Sequence, residues 1–274
     1  MSKAPAPSGP QMVVVRGTRL RAHVRPGPAV GPPLLMCCGI GASFDVLDPL
    51  VEALDPDLTV IRFDVPGAGA SPTPVLPYGF PTLAWLAGGL MHELGHERFD
   101  VLGFSWGGAL AQQLAWQHPR RVRRLVLVCT GTGMLMVPGS PRVLAKMLSP
   151  RRFRDPVYAE RIAATLYGGS ARHHSTKVRR LFRDFEQGGS TRGYGYQLLA
   201  GAVWTSLPFL PTIRQPTLVA SGDNDPIIPL ANARILTNFI PRARMHIFSG
   251  GHIDPLIEPA TVSDQISGFL KEDS

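Results

Sequence analysis

Short, mostly apolar runs alternating with segments of helical periodicity constrain this chain more than any other feature. The runs lie at 34–38, 58–63, 99–102, 122–128, 217–221 and 243–248. They are too short for core helices, and most lack the alternation of a strand with one wet face, so they read as strands covered on both sides. Between them, apolar residues recur at helical spacing. Val46, Leu47, Leu50, Val51 and Leu54 mark 45–54, and similar patterns occupy 81–94, 109–117, 230–239 and 262–270. Alternation of this kind closes as a doubly wound, mostly parallel sheet with helices on both faces. Two further strand-like runs, 11–16 and 18–25, are split by Gly17 and give an antiparallel hairpin edge, for eight strands in all.

The alternation stops between about 130 and 209. Prolines, glycines and large apolar residues fill that stretch, and it reads as an inserted helical cap over 133–208, with 11–132 and 209–274 forming the core domain and 1–10 a flexible tail. The formal charge of +8 also concentrates there: 133–208 holds 12 Lys plus Arg against 4 Asp plus Glu, and the remainder holds 16 of each. Nothing in the cap resembles a nucleic-acid module, so a solvated basic face is expected and no nucleic-acid partner. The N-terminus has a single Lys and no apolar run, and no 18-residue uncharged apolar stretch occurs, which predicts neither a secretion signal nor a membrane span. Cys37, Cys38 and Cys129 then read as buried free thiols in a reducing compartment, the cytoplasm.

Chemistry enters at Gly103-Phe104-Ser105-Trp106-Gly107-Gly108, which follows a strand and opens a helix. A serine on so sharp a turn needs small residues two positions to either side, because the neighbouring backbone comes too close for side chains. Its hydroxyl also needs a base, and the base a third group to orient it. His252 follows the last strand in a glycine-permitted loop, whereas His246 lies inside that strand and His92 and His96 on a helix facing elsewhere. Asp225, held extended by Pro226, is the expected acid, and Asp223 caps the turn instead. The order Ser105, Asp225, His252 is that of the α/β-hydrolase arrangement. The backbone N–H groups of Ile40 and Trp106 are the expected oxyanion donors. If the cap covers Ser105, then Met134, Leu135, Met136 and Trp204 are the expected substrate-binding residues. The glycine-rich loop 64–71 has neither the register nor the following helix of a phosphate cradle and reads as a tight turn. No cofactor is called for. No metal is expected either, since His and Cys do not cluster at ligand spacing.

Beyond this pattern, the chain resembles the intracellular medium-chain-length polyhydroxyalkanoate depolymerases, cap-bearing α/β-hydrolases. The resemblance spans roughly 32–255: Gly39-Ile40-Gly41-Ala42, Phe63-Asp64-Val65-Pro66-Gly67, Ser105 to Gln113 and Asp225 to Leu230, together with the cap segments Met136-Val137-Pro138-Gly139, Ser149-Pro150-Arg151-Arg152, Tyr167-Gly168-Gly169 and Trp204-Thr205-Ser206. It implies a serine esterase acting on aliphatic 3-hydroxyacyl esters or polyester at the surface of cytoplasmic storage granules. A general carboxylesterase or carbon–carbon hydrolase on the same scaffold, and a binding protein without catalysis, are the rival readings. Halide displacement is disfavoured because it needs Asp at the turn.

Overall fold

Burial on both faces makes the central strands visible first in the computed structural model, which describes residues 9–28, 31–183 and 189–272. Among these residues one sheet of eight strands forms: β1 (Gln11–Val15), β2 (Thr18–Arg25), β3 (Leu34–Cys37), β4 (Val60–Phe63), β5 (Phe99–Phe104), β6 (Val122–Val128), β7 (Thr217–Gly222) and β8 (Ala243–Phe248). Their spatial order is β1-β2-β4-β3-β5-β6-β7-β8. The strands from β3 onward run parallel, and the β1–β2 hairpin joins β4 antiparallel. Successive residues feed opposite faces, as the pleat requires. Leu34 and Met36 enter one apolar cluster with Leu102, Phe104, Val126 and Val128, while Leu35 and Cys37 enter the other with Val101, Leu125 and Leu127.

Helices α2 (Phe80–Glu93), α3 (Trp106–Gln117) and α8 (Ala231–Phe239) cover the second face, and α1 (Asp48–Ala53), the short α9 (Asp254–Ile257) and α10 (Ser263–Lys271) the first. The single helix expected over 45–54 is broken. A 3-10 turn at Phe44–Leu47 precedes α1, because Pro49 lacks an N–H and fits only in a first helical turn. His96 is not on a helix either. Gly95, at φ 82°, ends α2 before it.

Between β6 and β7 lie α4 (Pro141–Met147), α5 (Pro156–Tyr167), α6 (Ser175–Arg183) and α7 (Thr191–Ala202). Asp155 caps α5 by accepting from the Tyr158 N–H at 2.8 Å, and Ser190 caps α7 by accepting from Gly193 N–H at 2.8 Å. The two ends of this insert are stitched together: Gly133 bridges Thr205, Met134 N–H donates to the Trp204 carbonyl at 2.7 Å, and Ser206 N–H donates to the Thr132 carbonyl at 3.0 Å. No described helix is long and apolar enough to cross a membrane. Residues 1–8 of the expected tail, and 273–274, fall outside the described residues.

Candidate active site

Ser105 sits between the end of β5 and the start of α3 with φ 54° and ψ −121°, a conformation that a non-glycine residue adopts at a cost of about 1–3 kcal/mol. Its surroundings hold it there. Ser105 N–H donates to the Val128 carbonyl at 2.9 Å, and the Ser105 carbonyl accepts from Gly108 N–H at 2.8 Å and from Thr130 Oγ1 at 2.7 Å. A Cβ on Gly103 would lie 2.5 Å from Gly108 Cα and 2.7 Å from Ala111 Cβ, and one on Gly107 would lie 2.5 Å from the Cys38 carbonyl oxygen. Close backbone approach therefore fixes glycine at both positions.

Two loops at neighbouring strand ends bring the partners. After β7, Asp225 Oδ1 accepts from Ile227 and Ile228 N–H, each at 2.9 Å, which leaves Oδ2 2.7 Å from His252 Nδ1. His252 Nε2 is 2.9 Å from Ser105 Oγ. Because the Asp225 carboxylate can only accept, the imidazole proton belongs on Nδ1, and Nε2 is free to accept the serine proton. All three side chains are buried, Ser105 to 6%, Asp225 to 7% and His252 to 3% residual exposure. Asp223 does not join them; its Oδ1 accepts from Gly250 N–H at 3.0 Å and shapes the histidine loop.

That loop is also bolted to the insert. His252 N–H donates to the Tyr167 carbonyl at 2.7 Å, and the buried Asp254 carboxylate accepts from Gly251 N–H and from both the N–H and the hydroxyl of Ser170.

Ile40, in the loop after β3, and Trp106, the first residue of α3, flank Ser105 in a cavity of about 370 Å³. The first N–H groups of a helix have no intrahelical acceptor and lie at the positive end of its dipole. A residue that sequence reasoning missed, Gln197 of α7, ties both loops. Its Oε1 accepts from Gly41 N–H at 2.8 Å, and its backbone carbonyl accepts from Trp106 Nε1 at 3.0 Å. The one available signal in the sequence was a lone glutamine among Tyr194, Tyr196, Leu198 and Leu199.

The cavity wall is apolar, built by Met134, Met136, Leu144 and Leu198 of the insert against Ile227 and Ile228. Of the four substrate residues expected there, Met134 and Met136 line it. Leu135 does not line it, and Trp204 packs on Phe80, with its Nε1 donating to Gln113 Oε1 at 2.8 Å.

Behind the loop after β3, Asp64 accepts from Phe44 N–H at 2.7 Å, Ala70 N–H at 3.2 Å and Arg21 Nη1 at 3.3 Å. Burial, the largest influence, pushes its carboxyl up to about 6 against these bonds. The glycine-rich loop is the tight turn the sequence suggested: Gly67 and Gly69 have φ of 83° and 48°, and a side chain at Gly69 would overlap the Asp64 carboxylate.

The sequence offered no cluster of metal donors, yet the fold brings Cys129 to Asp225 and His252, with one donor atom of each within 4.8 Å of the others. Asp225 and His252 are already bonded to each other, and burial raises the Cys129 thiol well above its ordinary range, so a neutral thiol beside the pair accounts for the cluster.

A nucleophile-like serine on a strained strand-to-helix turn, with acid and histidine on later strand ends, defines the class. Residues 32–259 match the family model of the alpha/beta hydrolase fold, and the chain belongs to that family. It is 46% identical over 261 residues, 93% of this chain and 89% of the relative, to a poly(3-hydroxyalkanoate) depolymerase of Ectopseudomonas oleovorans. It is 31% identical over 83% of this chain and 94% of the relative to a pimeloyl-[acyl-carrier protein] methyl ester esterase of Aromatoleum aromaticum. Among solved structures, the enol-lactonase from Burkholderia xenovorans LB400 superposes with a TM-score of 0.82 at 26% identity, covering 96% of this chain and 100% of that one.

Proposed function

We propose that this protein is a serine carboxylic-ester hydrolase that cleaves medium-chain 3-hydroxyacyl esters, a poly(3-hydroxyalkanoate) depolymerase. The observation that carries the reading is the continuous line from Ser105 Oγ through His252 to Asp225, 2.9 and 2.7 Å, opening on an apolar cavity. Ser105 Oγ attacks the ester carbonyl as His252 Nε2 takes its proton. Asp225 holds the ring and stabilises its charged form. The N–H groups of Ile40 and Trp106 receive the oxyanion. His252 then protonates the departing alcohol, and water repeats the sequence on the acyl-enzyme to release the acid. A wall of methionine and branched aliphatic side chains suits an alkyl branch of several carbons, since each buried methylene contributes about 0.8 kcal/mol. The 46% identity to a depolymerase supports the polyester as substrate, and the place of action we propose is the cytoplasm, at the storage-granule surface.

Emulsified medium-chain polyester and p-nitrophenyl octanoate are the test substrates. Turnover of both, lost in Ser105→Ala with the fold intact, is the expected result. Hydrolysis of p-nitrophenyl esters alone makes the protein a general carboxylesterase. An unlabelled Ser105 after fluorophosphonate treatment refutes the serine mechanism.

A further inference from the structure

Gln197 is 1% exposed and lies in the wall of the cavity that also contains Ser105, Ile40 and Trp106. Its two bonds differ in kind. The side chain reaches the loop after β3, where Oε1 accepts from Gly41 N–H at 2.8 Å, and the backbone carbonyl accepts from Trp106 Nε1 at 3.0 Å. The other end of the amide faces the Tyr78 hydroxyl, which itself donates to the Pro66 carbonyl at 2.8 Å. Gly41 N–H can only donate, so the amide presents its oxygen there.

The loop after β3 holds itself weakly. Gly39 to Ala42 form a turn whose closing bond, Ala42 N–H to the Gly39 carbonyl, is long at 3.4 Å, and Gly41 occupies φ 74°. The peptide joining Ile40 to Gly41 is the central one of that turn, and Gln197 grips it by its N–H. The Ile40 N–H belongs to the preceding peptide, and the two planes meet at the Ile40 Cα. Only φ and ψ of Ile40 therefore separate the bond that Gln197 makes from the direction in which the Ile40 N–H points. The same glutamine fixes the ring of Trp106, the residue that follows the serine. Two donors carried by separate loops are thus referred to one residue of α7.

Resting on the ester-hydrolase reading above, we propose that Gln197 is a positioning residue that aims the Ile40 N–H at the developing oxyanion, so that the oxyanion site is complete only with α7 seated. Gln197 gives nothing to the reacting atoms. Its effect falls on the transition state, because donors stabilise a developing charge fully only when they are already aimed at it.

The test uses the full-length protein, with p-nitrophenyl octanoate as substrate and octyl trifluoromethyl ketone as probe. On the ketone the bond from Ser105 Oγ to the carbonyl carbon forms, the carbonyl oxygen takes the electron pair, and the serine proton passes to His252, which leaves a stable tetrahedral oxyanion. Gln197→Met keeps the length of the side chain and removes its oxygen. The expected result is a fall in kcat of about tenfold to a hundredfold, short of or equal to the loss of a whole donor, with KM changed by less than about twofold. Inhibition by the ketone weakens by the same factor as kcat/KM, and Gln197→Glu, which returns an oxygen to Gly41, recovers part of the loss. An unchanged kcat in Gln197→Met, or a loss carried by KM, overturns the assignment. If the Met variant does not fold, Trp106→Phe decides, since it cuts the other tie and leaves the backbone N–H in place: a lowered kcat with weaker ketone inhibition supports the proposal, and an unchanged kcat overturns it. A wild type that turns over the ester and binds the ketone no better than Gln197→Met does removes only the role of Gln197, whereas a wild type inert toward both removes the ester reading beneath it.

Discussion

Replacing Gly103 with alanine tests whether backbone crowding at the turn is what aims the serine. The new methyl would lie 2.5 Å from Gly108 Cα and 2.7 Å from Ala111 Cβ, both on the first turns of α3. Real carbon atoms do not approach so closely, so either α3 or β5 must shift by several tenths of an ångström. Overpacking of this kind costs about 1–3 kcal/mol. For a chain of this size that lowers the melting temperature by about 2–12 °C. Ser105 lies between the two displaced elements, and a nucleophile moved by ~1 Å loses about a hundredfold in rate. Gly195 supplies the control. It is exposed in α7 with nothing within 4 Å of an added Cβ, so Gly195→Ala should raise stability by about 0.5–1 kcal/mol and leave kcat unchanged. Thermal unfolding and initial rates on p-nitrophenyl octanoate read both quantities. A Gly103→Ala protein with wild-type melting temperature and rate would refute the crowding argument; a lowered melting temperature with unchanged rate would refute the link from crowding to serine position.

Asp225→Asn should lower kcat by about four orders of magnitude with little change in fold. The Ile227 and Ile228 amides hold the amide oxygen, so the new NH2 group turns toward His252, forcing the tautomer that cannot accept from Ser105. Asp64 gives a pH signature: its carboxyl titrates near 6 in the fold against an ordinary 3.8, so its contribution to stability is present at low pH and is lost as pH rises through 6. The melting temperature of Asp64→Asn relative to wild type should therefore be more favourable at pH 7.5 than at pH 4.5, and a pH-independent difference would exclude the raised value. Leu144→Trp narrows the cavity and should move the optimum acyl length downward along a p-nitrophenyl series from butanoate to dodecanoate.

Features decided locally were legible in the sequence. The bounds of β6 and β8 coincide with the expected ones because turn-forming residues punctuate both, and the elbow followed from glycines two positions either side of Ser105. The Asp225 and His252 loops followed from their place after strands. Features decided by packing were not legible. Leu135 and Trp204 share a composition with Met134 and Met136, and only the stitched ends of the insert determine which of them face the cavity. Gln197 stands 156 residues from the Gly41 amide it binds, a distance no periodicity spans. The convergence of Cys129 on Asp225 and His252 likewise depends on β6 and β7 being neighbours.

The interlock between residues 167–170 and 250–254 bears on how such enzymes can be recombined. A side chain at Gly251 would lie 2.6 Å from the Gly168 carbonyl carbon and 2.7 Å from Gly169 N, so the two segments are cut to fit one another. A chimera that exchanges the insert with a relative at its stitched base alone would set a foreign segment against the native histidine loop. Productive crossovers must carry both segments from one parent, and residues 167–170 and 250–254, joined by Ser170 and Asp254 across 84 positions of sequence, form a single unit of inheritance.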